Sequence, residues 1–327
     1  MAWHGSGPRA VFLVAWGWGL LASACSACVG TPEAQSTEPG AVAQDGQSEQ
    51  DEPAPERARL KRPPWAGQRI DVPYGVHPRQ TLDYYPVPLA EAPTPLAVFF
   101  HAGGFAGGDK LMARAKRGAE YKALQQAGIA CAFVNYRLAP EFHFPVPVRD
   151  AGRAVQFLRA HADEYGIDPG RLVYLGYSAG AVLAGTLAYG PDLAAENSPD
   201  PVARQSTRPV AWLSVEGPMD FRLFTPHRRV PYFGDMLLKS LDAEVLKLAS
   251  PAWHLARSTE PVIPCFLAYN LSKRETPPVL NPHDASFGLA LLETLRARGD
   301  RVSVLIDKQD KTRDWISELP CWFQERF

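Results

Sequence analysis

The segment at residues 172–191 constrains the fold more than any other part of the chain. An apolar run beginning at Leu172 leads into Gly176-Tyr-Ser178-Ala-Gly180, followed by small residues that favour a helix, which Gly190-Pro191 ends. A serine on a sharp strand-to-helix turn needs neighbours without side chains, because the backbone must fold tightly to expose the hydroxyl. The segment therefore predicts a buried strand, a nucleophile elbow carrying Ser178, and a helix. The alternative is an ordinary glycine-bearing turn with an unreactive serine.

Apolar strands alternate with helix-like segments through the rest of the chain. Strands are predicted at 69–72, 81–85, 96–100, 129–135, 172–175, 210–215, 262–269 and 302–306, and helices at about 112–126, 147–165, 181–189 and 285–298. This alternation predicts an α/β fold with a mostly parallel sheet covered on both faces, after an antiparallel opening. We expect one domain over residues 65–327, with a small irregular cap-like segment between Pro218 and Pro261.

The N-terminal residues have a different composition from the rest. An uncharged apolar run at 10–21 precedes Ala22-Ser-Ala-Cys25, which predicts a signal peptide over residues 1–24. Cys25 also fits an imperfect lipobox, with Cys28 as a second choice; ordinary cleavage and an uncleaved N-terminus are the alternatives. Residues 25–64 have almost no large apolar side chain and predict a disordered tether. We therefore expect an exported protein, periplasmic or extracellular, with membrane attachment if Cys25 is lipidated.

Charge and cysteine content narrow the function classes. The formal net charge of the 327 residues is −1, so nothing indicates a nucleic acid as the partner, and a small-molecule substrate or ligand is expected. Cys131, Cys265 and Cys321 remain in the predicted domain, an odd number that does not form a disulfide framework. We predict neither a metal nor a cofactor.

A glycine-rich loop supplies a second part of the predicted site. The apolar strand at 96–100 is followed by His101-Ala-Gly103-Gly104-Phe105. An acyl-transfer serine needs N–H donors for the developing oxyanion, from the residue after the nucleophile and from the loop after the third strand. Ala179, Gly103 and Gly104 occupy those places. A phosphate cradle is the alternative, but the spacing matches neither glycine-rich phosphate motif.

Several segments together resemble a known superfamily. They are His101-Ala-Gly-Gly-Phe-Ala-Gly-Gly-Asp-Lys110, Asn135-Tyr-Arg-Leu-Ala-Pro-Glu141 with Phe144-Pro145, Asp150, and Gly176-Tyr-Ser-Ala-Gly180. Their order over about residues 80–216 is similar to that of α/β-hydrolases, near the esterases grouped with hormone-sensitive lipase and the feruloyl-esterase-like carboxylesterases. The resemblance implies the α/β-hydrolase fold and a serine esterase. Ala102 replaces the first of three glycines usual in the loop.

The second half departs from that family's pattern. Similar enzymes carry the acid in a His-Gly-x-x-Asp stretch, but here the strand at 264–268 leads into Tyr269-Asn-Leu-Ser-Lys273, and the nearest carboxylates are Glu275 and Asp284. Lys311 stands where similar enzymes have the catalytic histidine, among aspartates that favour its charged form. Glu275 and Asp284 are the candidate acids.

Without a base, a serine hydroxyl is a poor nucleophile at neutral pH, so another histidine has to replace the missing one. His283 is the best candidate by chain order, although it precedes a predicted helix rather than following the last strand. His101 is expected to hold the oxyanion loop, His143 to pack and His161 to be solvated. His227 and His254 lie in the irregular segment and are further candidates.

The residues described above are compatible with two functions. The first is an exported serine hydrolase of carboxylic esters with small or medium acyl groups, because the elbow and the oxyanion loop are intact. The second is a catalytically impaired protein of the same fold that binds a small ligand or a protein partner, because the usual acid and histidine are missing.

Overall fold

A computed structural model describes residues 67–224, 243–272, 274–276 and 281–327. The predicted signal peptide (1–24), the predicted tether (25–64) with Cys25, and the central part of the cap-like segment with His227 lie outside the described residues. Within the described ranges, no helix is long and apolar enough to cross a membrane.

The described chain is built on one eight-stranded sheet. The strands are β1 (Arg69–Pro73), β2 (Thr81–Tyr85), β3 (Thr94–Phe100), β4 (Ala130–Val134), β5 (Ile167–Tyr177), β6 (Ala211–Val215), β7 (Cys265–Tyr269) and β8 (Val304–Asp307). Their spatial order is β1-β2-β4-β3-β5-β6-β7-β8. β2 is antiparallel to β1 and β4, and the other neighbours are parallel, so the antiparallel opening and the parallel sheet are confirmed.

Helices lie on both faces of the sheet. They are α1 (Lys110–Lys116), α2 (Gly118–Gln126), α3 (Val146–Ala160), α4 (Ala162–Tyr165), α5 (Ala179–Tyr189), α6 (Ala243–Leu248), α7 (Pro251–Arg257), α8 (Ala285–Ala297) and α9 (Trp315–Gln324). Residues of α3, α5 and α8 share one core cluster with alternate strand residues such as Val98. Residues of α1, α2 and α9 share the other cluster with the intervening residues such as Phe99. Side chains alternate across a strand, so each buried strand supplies both layers.

Several helical details differ from the sequence prediction; among them, α6 and α7 lie in the segment between Pro218 and Pro261 that was expected to be irregular. The helix expected at 112–126 is two helices that meet at Arg117, and the one expected at 147–165 is two that meet at His161. The helix α9 was not predicted. It contains Pro320, which normally interrupts a helix, and that residue obscures the apolar face formed by Trp315, Leu319, Trp322 and Phe323.

Candidate active site

The turn at Ser178 has the geometry of a nucleophile elbow. Ser178 lies between β5 and α5 with φ 54° and ψ −116°, and its N–H donates to the Val215 carbonyl at 3.0 Å. A Cβ atom at position 176 would lie 2.2 Å from the Gly180 oxygen, and one at position 180 would lie 2.1 Å from the Phe100 oxygen. Only glycine fits at either position, so the two glycines set the backbone path that strains Ser178.

The glycine-rich loop brings its N–H groups to the same place. Gly103 and Gly104 both have positive φ, 126° and 61°. The Gly103 carbonyl accepts from Ala106 and Gly107 at 3.1 and 3.0 Å, whereas the Gly103 and Gly104 N–H groups have no acceptor among the described residues. Ala179 begins α5, where the first N–H groups have no partner within the helix. These are the three predicted oxyanion donors, and Gly103 and Gly104 line a pocket of about 310 Å³ together with Ser178 and His283.

His101 supports the loop from behind, as the sequence indicated. Its ring stacks on Tyr136 with centroids 4.0 Å apart, and its Nδ1 lies 2.7 Å from the Ala102 carbonyl oxygen. The Tyr136 hydroxyl donates to the His101 carbonyl at 2.7 Å. Burial lowers the pKa of His101 to about 4. The ring is therefore neutral at pH 7, and its Nδ1–H fixes the Ala102 carbonyl.

A buried carboxylate anchors the neighbouring loop that begins at Asn135. Asp150, on α3, accepts from the Arg137 backbone N–H at 2.9 Å and from its guanidinium at 2.8 and 2.6 Å. Gln80 donates to the same carboxylate at 2.8 Å. Arg79 donates to the Tyr136 and Gly108 carbonyls at 2.9 and 2.8 Å. These contacts connect the Asn135 segment to the oxyanion loop and explain why the two motifs occur together.

His283 meets the nucleophile. It lies in the loop between β7 and α8, and its Nε2 is 2.9 Å from the Ser178 Oγ. Desolvation lowers the pKa of the half-buried His283, which keeps the imidazole neutral and able to accept a proton at pH 7. The imidazole beside Ser178 thus comes from the loop after β7, whereas the resemblance implied a histidine after β8.

The two carboxylates expected as acids are placed differently. Asp284 begins α8 as its N-cap and accepts from the Ser286 N–H at 2.8 Å and, through its other oxygen, from the Glu275 N–H at 2.8 Å. Glu275 has an exposed side chain, and its carbonyl accepts from the Ser286 hydroxyl at 2.7 Å. Asp284 therefore caps a helix and closes a loop, and the contacts described for Glu275 are backbone contacts that hold that loop.

The carboxylate that acts on His283 is one that the sequence analysis did not consider. Glu216 follows β6, is 7% exposed, and raises the pKa of His283 through its charge, while Lys308 lowers it. The Lys308 Nζ lies 2.7 Å from the Glu216 carboxylate. One signal in the sequence could have found Glu216. It comes directly after a buried parallel strand, on the edge of the sheet where the strands' carboxyl ends place ligand-binding and catalytic side chains.

The other candidate bases that the structure describes lie outside this cluster. The His254 Nε2 is 2.8 Å from the Leu248 carbonyl oxygen, and the His161 Nδ1 is 2.8 Å from that of Phe157. His143 is half-buried in the loop before α3, and Lys311 is exposed after β8. Cys131 and Cys265 are buried free thiols. Among the residues that the structure describes, no group of three potential metal ligands occurs.

Comparison with known proteins places the chain in a family. The BD-FAE family model matches residues 82–265, more than half of the chain. The chain belongs to the BD-FAE family. The match covers β2 to the start of β7, and so includes the elbow, the oxyanion loop and Glu216 but ends before His283.

Similar proteins agree with this assignment. Esterase LipI of Mycobacterium tuberculosis is 34% identical over 120 residues, which are 36% of this chain and 36% of that protein. The match thus spans about a third of the length of that curated relative.

Solved structures support the fold. A truncated carbohydrate esterase from gut microbiota has a TM-score of 0.65 at 17% identity, covering 81% of this chain and 98% of that one. An acetyl ester-xyloside bifunctional hydrolase from Caldicellulosiruptor lactoaceticus has a TM-score of 0.61 at 20% identity, covering 75% and 87%. Together with the strand order, they show that this BD-FAE member has the α/β-hydrolase fold.

Proposed function

We propose that this protein is a serine hydrolase of carboxylic esters with small acyl groups. The observation that carries the proposal is the 2.9 Å contact between the Ser178 Oγ and the His283 Nε2. A serine hydroxyl becomes an effective nucleophile when an adjacent base accepts its proton. The esterases among the relatives support the same reaction class.

The geometry supports a two-step acyl transfer. Ser178 Oγ attacks the ester carbonyl carbon while its proton passes to the His283 Nε2. The carbonyl oxygen takes the negative charge and accepts from the N–H groups of Gly103, Gly104 and Ala179. The tetrahedral intermediate collapses, the alcohol leaves with the proton from His283, and an acyl-serine remains. Water then attacks the acyl-serine with the same proton path in reverse, releasing the carboxylic acid and free Ser178.

The pocket supports a small, uncharged acyl group. Its described walls are Ala102, the two loop glycines, Tyr177, Pro282, Ser178 and His283. Its volume of about 310 Å³ is at the small end for ligand pockets. None of these walls carries a fixed charge that would bind an ionised acyl chain, so acetyl and butyryl esters are the expected substrates.

The experiment measures hydrolysis of p-nitrophenyl acetate and butyrate together with labelling by a fluorophosphonate probe. We expect turnover and covalent labelling at Ser178 by the wild type, and neither by Ser178→Ala with unchanged circular dichroism. Equal turnover by Ser178→Ala, or the absence of both turnover and labelling in the wild type, would overturn the proposal. In the second case the pocket would be a binding site, as in the alternative function.

We further propose that the protein is exported and that its N-terminus is processed between Ala24 and Cys25. The apolar run at 10–21 and the small residues before Cys25 support the proposal. Expression of the full chain in a bacterial host, followed by fractionation and N-terminal analysis, tests it. A mature N-terminus at Cys25 with a fatty acyl chain, lost in Cys25→Ala, supports lipidation. A cytosolic protein that retains Met1 and the apolar run would overturn export.

A further inference from the structure

An ion pair between a buried carboxylate and a half-buried ammonium lies beside the Ser178–His283 contact. The Glu216 carboxylate is held by the Lys308 ammonium at 2.7 Å, and the Tyr177 hydroxyl donates to the same oxygen at 3.3 Å. The side chains of Glu216 and Lys308 are 9% and 23% exposed. Burying a carboxylate costs free energy unless it is paired, and the Lys308 ammonium offsets part of that cost here. An ion pair kept in such a costly place indicates a role in the site.

The sheet brings the two charges together from separate loops. Glu216 directly follows β6 and donates its N–H to the Ala268 carbonyl of β7 at 3.0 Å, and Lys308 directly follows β8 and donates to the Tyr269 carbonyl at 2.9 Å. Both residues therefore flank the end of β7, from which the loop carrying His283 departs. Val215, just before Glu216, accepts the Ser178 N–H, which ties the pair to the elbow.

Tyr177 connects this pair to the base. Its ring stacks on the His283 imidazole with centroids 5.7 Å apart and planes at 27°, while its hydroxyl reaches Glu216. Arg117 lies 4.7 Å from the centre of the same ring. The residue before the nucleophile thus contacts both the imidazole and the carboxylate.

The backbone of Glu216 shows a further constraint. Its φ of 50° is uncommon for a residue with a long side chain. Such a conformation is strained and persists only when surrounding contacts hold it. Here the hydrogen bond to the Ala268 carbonyl and the ion pair with Lys308 hold it.

On the basis of the proposed function, we infer that Glu216 is the positioning acid for His283, stabilising the imidazolium that forms during catalysis, and that Lys308 moderates its charge. The charged and titratable groups around His283 fit this assignment. Tyr177 comes from β5, Glu216 from the end of β6 and Lys308 from the end of β8. Asp284, on the same loop as His283, is engaged in capping α8.

The two charges act on His283 in opposite directions, which gives a test that a purely structural role would fail. Removal of the Glu216 charge in Glu216→Gln disfavours the imidazolium. We expect kcat to fall about 10²-fold, the lower end for acid–base assistance, with little change in KM. The acid limb of the kcat/KM profile should move to lower pH. In Lys308→Met the loss of the opposing cation should move the limb to higher pH, with a smaller effect on kcat.

Three further variants sharpen the test. Glu216→Asp keeps the charge and should restore the position of the limb. Asp300→Asn removes a buried carboxylate that pairs with Arg296 away from the site, and should leave the limb where it is. The double variant Glu216→Gln/Lys308→Met removes both charges and should return the limb towards the wild-type position. Thermal unfolding of each variant shows whether it folds.

A second readout separates this inference from the proposed function. Titration of His283 by NMR in the full chain reports its protonation without turnover, and should show the same opposite displacements. If the wild type is inactive but the displacements occur, the proposed function fails and the coupling stands. If the wild type is active and both single variants leave the limb and the His283 titration unchanged, or move them in the same direction, the inference is overturned.

Discussion

The two halves of the candidate active site are built in different ways. The nucleophile half consists of two tight loops, after β3 and β5, in which neighbouring residues determine the geometry: a side chain at position 176 or 180 would collide with backbone atoms at 2.2 and 2.1 Å. The base half combines side chains from the ends of β6, β7 and β8, which lie far apart in sequence. The geometry of the first half is therefore encoded in short motifs, whereas that of the second half depends on the packing of the whole sheet.

The geometry of the base half depends on where side chains lie along the carboxyl edge of the sheet. For acyl transfer, an imidazole has to reach the Ser178 hydroxyl from a loop at this edge. His283 does so from the loop after β7, with its distance set by the capped start of α8. Substitutions in the two halves should therefore reduce activity for different reasons.

The largest expected effect is in the base half. His283→Gln removes the proton acceptor and should lower kcat about 10⁴- to 10⁶-fold, as loss of the base does in other serine hydrolases. Steady-state hydrolysis of p-nitrophenyl acetate checks it. His161→Gln, at the end of α3, should retain activity. If His283→Gln kept a tenth of the wild-type rate, another group would be the base.

A smaller loss is expected in the oxyanion loop. At Gly103 an added Cβ would lie 2.1 Å from the Gly107 carbonyl oxygen, and φ is 126°, so Gly103→Ala has to move the loop and its N–H donors. We expect kcat to fall about 10²- to 10³-fold with a modest change in KM. The matched control is Gly118→Ala, where a Cβ meets nothing within 4 Å. Equal behaviour of the two variants would mean that the loop supplies no oxyanion donor.

The support behind the oxyanion loop should make the protein sensitive to acid. His101 has a pKa of about 4 in the folded protein against an ordinary value of 6.5, because burial disfavours the imidazolium. As the pH falls, His101 binds a proton in the unfolded state before it does so in the folded state. The contribution of the neutral, buried His101 to the free energy of unfolding is therefore fully present above pH 6.5 and is lost as the pH falls towards 4. The loss is on the order of 3 kcal/mol.

Urea unfolding at pH 7.5, 6 and 5 measures this effect. In His101→Asn the free energy of unfolding should fall less steeply over the same range than in the wild type, whatever its value at pH 7.5. His161→Gln should keep the wild-type slope. Parallel curves for the wild type and His101→Asn would exclude His101 as the source of the acid sensitivity.

The smallest effect is expected at Asp284. Asparagine caps helices about as well as aspartate, so Asp284→Asn should lower the free energy of unfolding by about 1 kcal/mol, for the weakened bond to Glu275. Its kcat should stay within about tenfold of wild type, whereas loss of a triad aspartate costs about 10⁴-fold. Asp314→Asn, at the N-cap of α9, is the control for capping alone. A 10⁴-fold loss in Asp284→Asn only would make Asp284 the acid after all.

The fold was predictable because its signals are local. Apolar strands such as Thr94–Phe100 and Ala130–Val134 were recognised within one or two residues, as was the strand-to-helix turn at Ser178. The helix α9 was not predicted because Pro320 interrupts its apolar helical pattern. Tertiary packing against α2 and the sheet stabilises the helix all the same. Here tertiary packing outweighs the low helix propensity of proline, which the sequence pattern alone does not reveal.

The site was predictable to the extent that backbone geometry specifies it. Ser178, Ala179, Gly103 and Gly104 belong to turns whose residue types follow from steric limits, and His283 could be selected by chain order. Asp284 was expected to be an acid because it is one of the carboxylates nearest to the strand at 264–268. One of its oxygens instead accepts from Ser286 at the start of α8 and the other from the Glu275 N–H.

The sequence alone determined the α/β-hydrolase fold, the nucleophile elbow and the oxyanion loop, since each depends on contacts between residues close together in the chain. Only the tertiary structure decided which imidazole meets Ser178 and which carboxylate acts on that imidazole. Glu216, His283 and Lys308 are brought together by the hydrogen-bonded register of β6, β7 and β8. That register is a long-range property, because pairing between strands depends on the whole sheet and not on the loops that follow them.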